Sequence, residues 1–149
     1  MNDRQDAFRS LLADLGKRLN ANLDPSSDRV VTIELDGVLI SLESPEQSSF
    51  MYFHAPVRRL SAEAGSEYTV AMRRNLFGLP MTGAWLAADA ETDELILCHS
   101  APLAETTEDR LIASIEAVAS AVNELRNEQN LGRSPRHLDA LAGTDFIVR

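Results

Sequence analysis

The segment RVVTIELDGVLISLES, Arg29 to Ser44, leaves the backbone little choice. Asp36-Gly37 between two β-rich runs is the signature of a two-residue type I′ hairpin turn. Such a turn pairs Leu35 with Val38, Ile33 with Ile40 and Val31 with Leu42. Cross-strand partners share a face, and all of these are apolar. The opposite face receives Glu34 with Leu39, Thr32 with Ser41 and Val30 with Glu43. The segment is therefore a hairpin with one core face and one mostly wet face.

Other elements follow from spacing. Phe8, Leu12, Leu15 and Leu19, with Leu11 beside them, give a helix from Asp3 to Leu19, with Asp3 placed to cap it. Gly16 weakens its last turns, and NANLDPSSD reads as the loop that ends it. SSFMYFHAP is a third strand, apolar on both faces through Phe50, Met51, Tyr52 and Phe53, and ended by Pro56. A loop through Ala64-Gly65 leads to a short helix over roughly Glu67 to Leu76. GAWLAADAETDELILCHS is a second hairpin in which Asp89 opposes Glu94, Trp85 faces Cys98, Ala87 faces Ile96 and Leu86 pairs with Leu97. Both of its faces are apolar near the middle, so it needs cover on two sides, from helices or from a second subunit. Leu111, Ile115, Val118, Val122 and Leu125 mark a final helix from about Thr107 to Asn127, with Thr106 and Asp109 in capping-box spacing. The expected architecture is α+β: helix, three-stranded antiparallel meander, short helix, β-hairpin and long C-terminal helix. It forms a single domain over 1–130, with a flexible tail over 131–149.

Composition narrows the function. At 149 residues the chain is long enough for one self-sufficient core. Its net charge of −9 argues against nucleic acid, which is bound through clustered Lys and Arg. The pairs Arg58-Arg59 and Arg73-Arg74 are too short to overturn that. The single cysteine excludes an internal disulfide and points to a reducing compartment. A polar N-terminus, and no apolar run near the ~20 residues of a membrane span, make cytoplasmic the expected localisation.

No motif supports catalysis. Cys98 and His99 are strand neighbours and project to opposite faces, so they do not form a nucleophile–base pair. His54, His99 and His137 are scattered and the lone Cys98 lacks a Cys-x-x-Cys partner, so no metal site is expected. Phosphate-binding glycine spacings and Gly-x-Ser-x-Gly are missing, and the acidic DAETDEL reads as a solvated hairpin loop. The reading is a non-enzyme without cofactor. What the chain has in excess is apolar strand surface, which on soluble proteins usually serves association.

The order of elements resembles the class I type III secretion chaperones, the Tir chaperone (CesT-like) family. LFGLPMTGAWLAADAETDELILCHSAPL, Leu76 to Leu103, is similar to the family's Leu-Pro loop, Gly-Ala-x-Leu strand, acidic turn and Leu-rich strand. The resemblance covers roughly residues 3 to 127 and rests on fold patterns rather than active-site residues. It implies a homodimer that binds the N-terminal region of a secreted effector in extended form, without hydrolysing ATP, and admits the secretion ATPase as a further partner. Carried onto this chain, it places the dimer interface at Leu76, Leu79, Met81, Trp85 and Ala87. Effector contacts fall to the first helix and the sheet, at Phe8, Leu11, Leu12, Leu39, Met51 and Phe53. Two alternatives stand beside it: an α+β binding module with another protein partner and no link to secretion, and a small hydrolase or transferase.

Overall fold

The structure is a computed structural model that describes residues 3–23, 25, 29–61 and 65–128, with side chains from residue 6 onward. The capping side chain expected at Asp3, His137 and the tail over 131–149 lie outside that description. Helix α1 (Asp3–Leu19) leads into β1 (Val30–Leu35), β2 (Val38–Glu43) and β3 (Phe50–Arg59). Helix α2 (Gly65–Phe77) precedes β4 (Trp85–Asp89) and β5 (Glu94–Pro102), and a 3-10 turn at Leu103–Glu105 leads to α3 (Glu108–Asn127). The strands form one antiparallel sheet in the order β1-β2-β3-β5-β4.

Both hairpin registers follow the sequence. Leu35 pairs with Val38, Ile33 with Ile40 and Val31 with Leu42, across a turn in which Asp36 and Gly37 have φ of 52° and 75°. Trp85 pairs with Cys98, Leu86 with Leu97 and Ala87 with Ile96. Because Leu42 also opposes Phe53, the core face continues across the sheet through Met51, Phe53, Ala55, Leu97 and Leu86, all buried. Helix α3 covers this face with Leu111, Ile115, Val118, Val122 and Leu125, and α1 adds Phe8, Leu12 and Leu15 to the same core. Arg18 near the end of α1 holds Asp109 at 2.8 Å and Glu108 at 3.3 Å, the two carboxylates that also suit the positive end of α3.

Three local expectations need correction. Pro56 does not end β3; the strand runs on to Arg59, with its register to β5 shifting between Pro56 and Arg58. A bulge is where a strand tolerates proline, because no ladder N–H is demanded there. Arg126 of α3 serves the carbonyls at this irregularity, donating to Pro56 at 2.7 Å and Val57 at 3.2 Å, and also reaches the Gly37 carbonyl in the first hairpin turn at 3.0 Å. The N-cap of α3 is Thr107, which accepts from the Arg110 N–H at 3.3 Å, while Thr106 donates to the Pro102 carbonyl at 2.7 Å. The cap thus sits one residue later than the Thr106–Asp109 spacing suggested. Gly16 does more than weaken α1, since a Cβ there would lie 2.6 Å from the Ala21 carbonyl oxygen. The chain folds back over the helix at that point and needs the missing side chain.

Candidate functional site

Alternation along the strands divides the sheet into two unlike surfaces. The face opposite α1 and α3 carries Thr32 and Glu34 of β1, then Leu39, Ser41 and Glu43 of β2. It continues with Phe50, Tyr52 and His54 of β3, Ile96 and Cys98 of β5, and Trp85 and Ala87 of β4. Its β1–β2 half is polar: the Thr32 and Ser41 hydroxyls meet at 3.1 Å, and His54 Nδ1 lies 3.8 Å from Glu43. Its β4–β5 half is apolar, and Trp85, Ala87 and Ile96 remain half-buried there.

Helix α2 adjoins the apolar half and is built unusually. Only Ala71 and Arg74 of the helix are buried. Its large apolar side chains point outward instead: Tyr68, Met72 and Leu76, spaced by four residues on one stripe, are 44%, 74% and 71% exposed, and Phe77 follows at 82%. Ala71 and half-buried Val70 give the helix a small apolar footing on the core, and polar contacts fasten it further. The Asn75 carboxamide accepts from the Leu86 N–H at 2.6 Å and donates to the Leu86 carbonyl at 3.0 Å, along the outer edge of β4. Arg74 pairs with the Glu128 carboxylate just beyond α3.

The expected interface residues are partly brought together by this arrangement. Leu76 is exposed on α2, Trp85 and Ala87 share one face of β4, and Leu79 and Met81 sit half-buried against the core. Tyr68, Met72, Phe77 and Ile96 add apolar surface beside them that the sequence reading did not single out. The four-residue spacing of Tyr68, Met72 and Leu76 was the available signal, since it marks a single stripe on a helix whose opposite side carries Arg74.

The expected effector contacts need a larger correction. Phe8, Leu12, Met51 and Phe53 are enclosed in the subunit's own core, and Leu11 is half-buried against it. The reason is register: β3 is apolar on both sides, and its pairing with Leu42 turns Met51 and Phe53 inward and Phe50 and Tyr52 outward. Leu39 alone of that set stands well exposed, at 50%, and Phe50 joins it on the same face.

The chemistry of Cys98 and His99 is that of packing. Cys98 is buried between Trp85 and His54, and that burial pushes its thiol up to about 11, away from the reactive thiolate. His99 projects to the other face, where its ring lies 5.3 Å from that of Phe53 and burial lowers its pKa against a smaller opposing effect of the Gly83 backbone. Among the described residues no group of three or more His, Cys, Asp and Glu side chains is arranged to hold a metal ion. Nor is any described helix long and apolar enough to cross a membrane.

Comparison with known proteins bears on what such surfaces serve. A sequence model of the Tir chaperone protein (CesT) family matches residues 10–126. No curated protein gives a significant match. Among solved structures, a chain of the HopA1–SchA chaperone–effector complex superposes with a TM-score of 0.66 at 13% identity, covering 82% of this chain and 94% of the other. A chain from the Yersinia pestis type III secretion chaperone SycH in complex with a stable fragment of YscM2 gives 0.61 at 17% identity, covering 79% and 98%. A chain of the ExsC–ExsE complex gives 0.69 at 14% identity, covering 89% and 100%.

Proposed function

The chain belongs to the Tir chaperone protein (CesT) family, and from that premise we propose that it is a type III secretion chaperone. It binds the N-terminal region of an effector in extended form and keeps it competent for export. The observation that carries this reading is the family match over residues 10–126, which spans every described strand, all of α2, α3 up to its last residue and the second half of α1. The fold shared with chaperone–effector complexes supports it further.

Two surfaces have the chemistry such a protein needs. The first is the outer edge of β1, which pairs with no other strand among the described residues. In a two-residue hairpin the N–H and C=O groups of Thr32 and Glu34 point away from β2, so an extended segment can add there as a further strand. Ile33 and Leu35, half-buried beside that edge, offer apolar contact on one face, and exposed Leu39, opposite Glu34, offers it on the other. The second is the stripe of α2 together with Trp85 and Ile96. Its occupant is a second copy of this chain, because the stripe runs on into sheet surface already half-buried and apolar. We place the dimer in the cytoplasm, where an export substrate waits, and assign it no chemical step.

Co-expression with the N-terminal segment of a candidate effector tests the client surface. Thr32→Pro removes one outward N–H at an edge position that tolerates proline, and Leu39→Asp charges the neighbouring apolar contact. Both variants should fold and dimerise but lose most of the co-purified segment. Full retention by both would reject the β1 edge as the client site. If the segment is never retained by the unaltered protein while some other cellular protein is, the binding module without a link to secretion becomes the better reading.

A further inference from the structure

Helix α2 presents its large apolar residues outward, while beside the small contacts of Val70 and Ala71 with the core two polar side chains at adjacent positions attach it to the subunit. The geometry points to Arg74 and Asn75 as positioning residues that hold the association surface in place before a partner arrives. This rests on the reading of α2 as the site where a second copy docks.

Asn75 acts as a surrogate for a neighbouring strand. A primary carboxamide presents one acceptor and two donors in a plane, the same pairing groups a peptide unit offers across an antiparallel ladder. Its Oδ1 takes the Leu86 N–H at 2.6 Å and its Nδ2 gives to the Leu86 carbonyl at 3.0 Å. Both outward groups of Leu86 are thereby consumed on an edge that a sheet must otherwise protect from unwanted pairing. The same two bonds fix the end of α2 against β4, on the side of the helix that borders the Tyr68–Met72–Leu76 stripe.

Arg74 secures the helix from the other direction. It is one of only two buried residues of α2 and pairs with the Glu128 carboxylate, while Arg58 of β3 donates to the Glu128 carbonyl at 3.3 Å. Glu128 therefore links α2, the sheet and the end of α3. Replacing either partner by an apolar residue removes this ion pair at the buried Arg74 side chain, which is costly. Apolar attachment within the subunit is limited to Ala71 and half-buried Val70, because Met72, Leu76 and Phe77 face away. A helix held in this way keeps its Tyr68–Met72–Leu76 stripe free and already ordered. Ordering in advance reduces what association must otherwise spend on fixing the helix.

The test uses the full chain and variants Asn75→Leu, Glu128→Gln and Leu76→Asp, each checked by circular dichroism for an intact fold. Amide exchange is read at Leu86 and along α2, and the dimer dissociation constant by sedimentation. Asn75→Leu should speed exchange at Leu86 by roughly tenfold or more and weaken dimerisation about tenfold by the same loosening of α2. Glu128→Gln should act in the same direction on α2 amides while leaving Leu86 itself closer to the parent. Unchanged protection of Leu86 in Asn75→Leu, or faster exchange with an unchanged dissociation constant, would overturn the positioning role. Leu76→Asp keeps both clamps and should yield monomers with protected Leu86. A dimer that survives Leu76→Asp would instead reject α2 as the docking surface, a failure that can be told apart because it leaves exchange at Leu86 as predicted for the clamp.

Discussion

At the scale of single residues, the adjacent Cys98 and His99 illustrate how strand geometry decides chemistry. Alternation sends them to opposite faces, and each is then governed by its own neighbours. The Cys98 thiol, raised to about 11 by burial, should resist aromatic disulfide reagents at pH 8 and react fully only after denaturation. Rapid labelling of the native protein would contradict this. The same shift has a sign in the stability curve. Because the folded thiol holds its proton to a higher pH than the unfolded one, its contribution is intact below pH 9.0 and is lost as pH rises toward about 11. A Cys98→Ala variant should therefore lose part of the alkaline decline in thermal midpoint. Gly16 is a second case in which environment overrides propensity. Alanine normally favours a helix over glycine by ~1 kcal/mol. Here the added Cβ meets backbone, the Ala21 carbonyl oxygen at 2.6 Å, so Gly16→Ala should destabilise by about 1–3 kcal/mol in a denaturant titration.

At the scale of elements, the most legible parts of the sequence were those where two constraints agreed. Asp36-Gly37 fixes a turn and the flanking alternation fixes a face, so every pair of the first hairpin could be assigned. The second hairpin followed once Asp89 was set opposite Glu94. Strand β3 was harder because Phe50, Met51, Tyr52 and Phe53 satisfy either face. Only its register against β2, which sets Phe53 opposite Leu42 and depends on the connection from Ser44 to Ser49, selects Met51 and Phe53 for the core. The fate of Pro56 was hidden for a similar reason. Proline normally closes a strand, and nothing local announces that Arg126, seventy residues away from Pro56, will serve the carbonyls at the bulge. Arg126→Met keeps most of the stem and removes the donors. Since the guanidinium is partly solvated, the expected loss is about 1–2 kcal/mol, with faster amide exchange near the Asp36-Gly37 turn. An unchanged denaturation midpoint would mean that water replaces the arginine at no cost.

At the scale of the whole molecule, family membership was readable from the order of elements and from the Leu76–Leu103 stretch, whereas the assignment of surfaces was not. Core and contact surface draw on the same residue types, and periodicity says that a stripe exists without saying which way it faces. Phe8 and Leu12 form a good helical stripe that turns inward, while Tyr68, Met72 and Leu76 form one that turns out. The sheet order then has a metric consequence. β1 and β4 lie at opposite margins, four inter-strand steps apart, or roughly 19 Å at the usual ~4.8 Å per step. If two copies join through α2 and β4, their β1 edges become the outermost rims of the pair. A client that touches both rims must cross two sheets and the helices between them, on the order of 50 Å given helix diameters of about 10 Å. At ~3.3 Å per extended residue this needs about 15 residues of bridge, besides those pairing at each rim. Successive shortening of a bound segment should therefore show a step rather than a slope, with affinity falling sharply once the bridge drops below that length. The dimer would act as a molecular ruler, selecting clients by the reach of their unfolded leader.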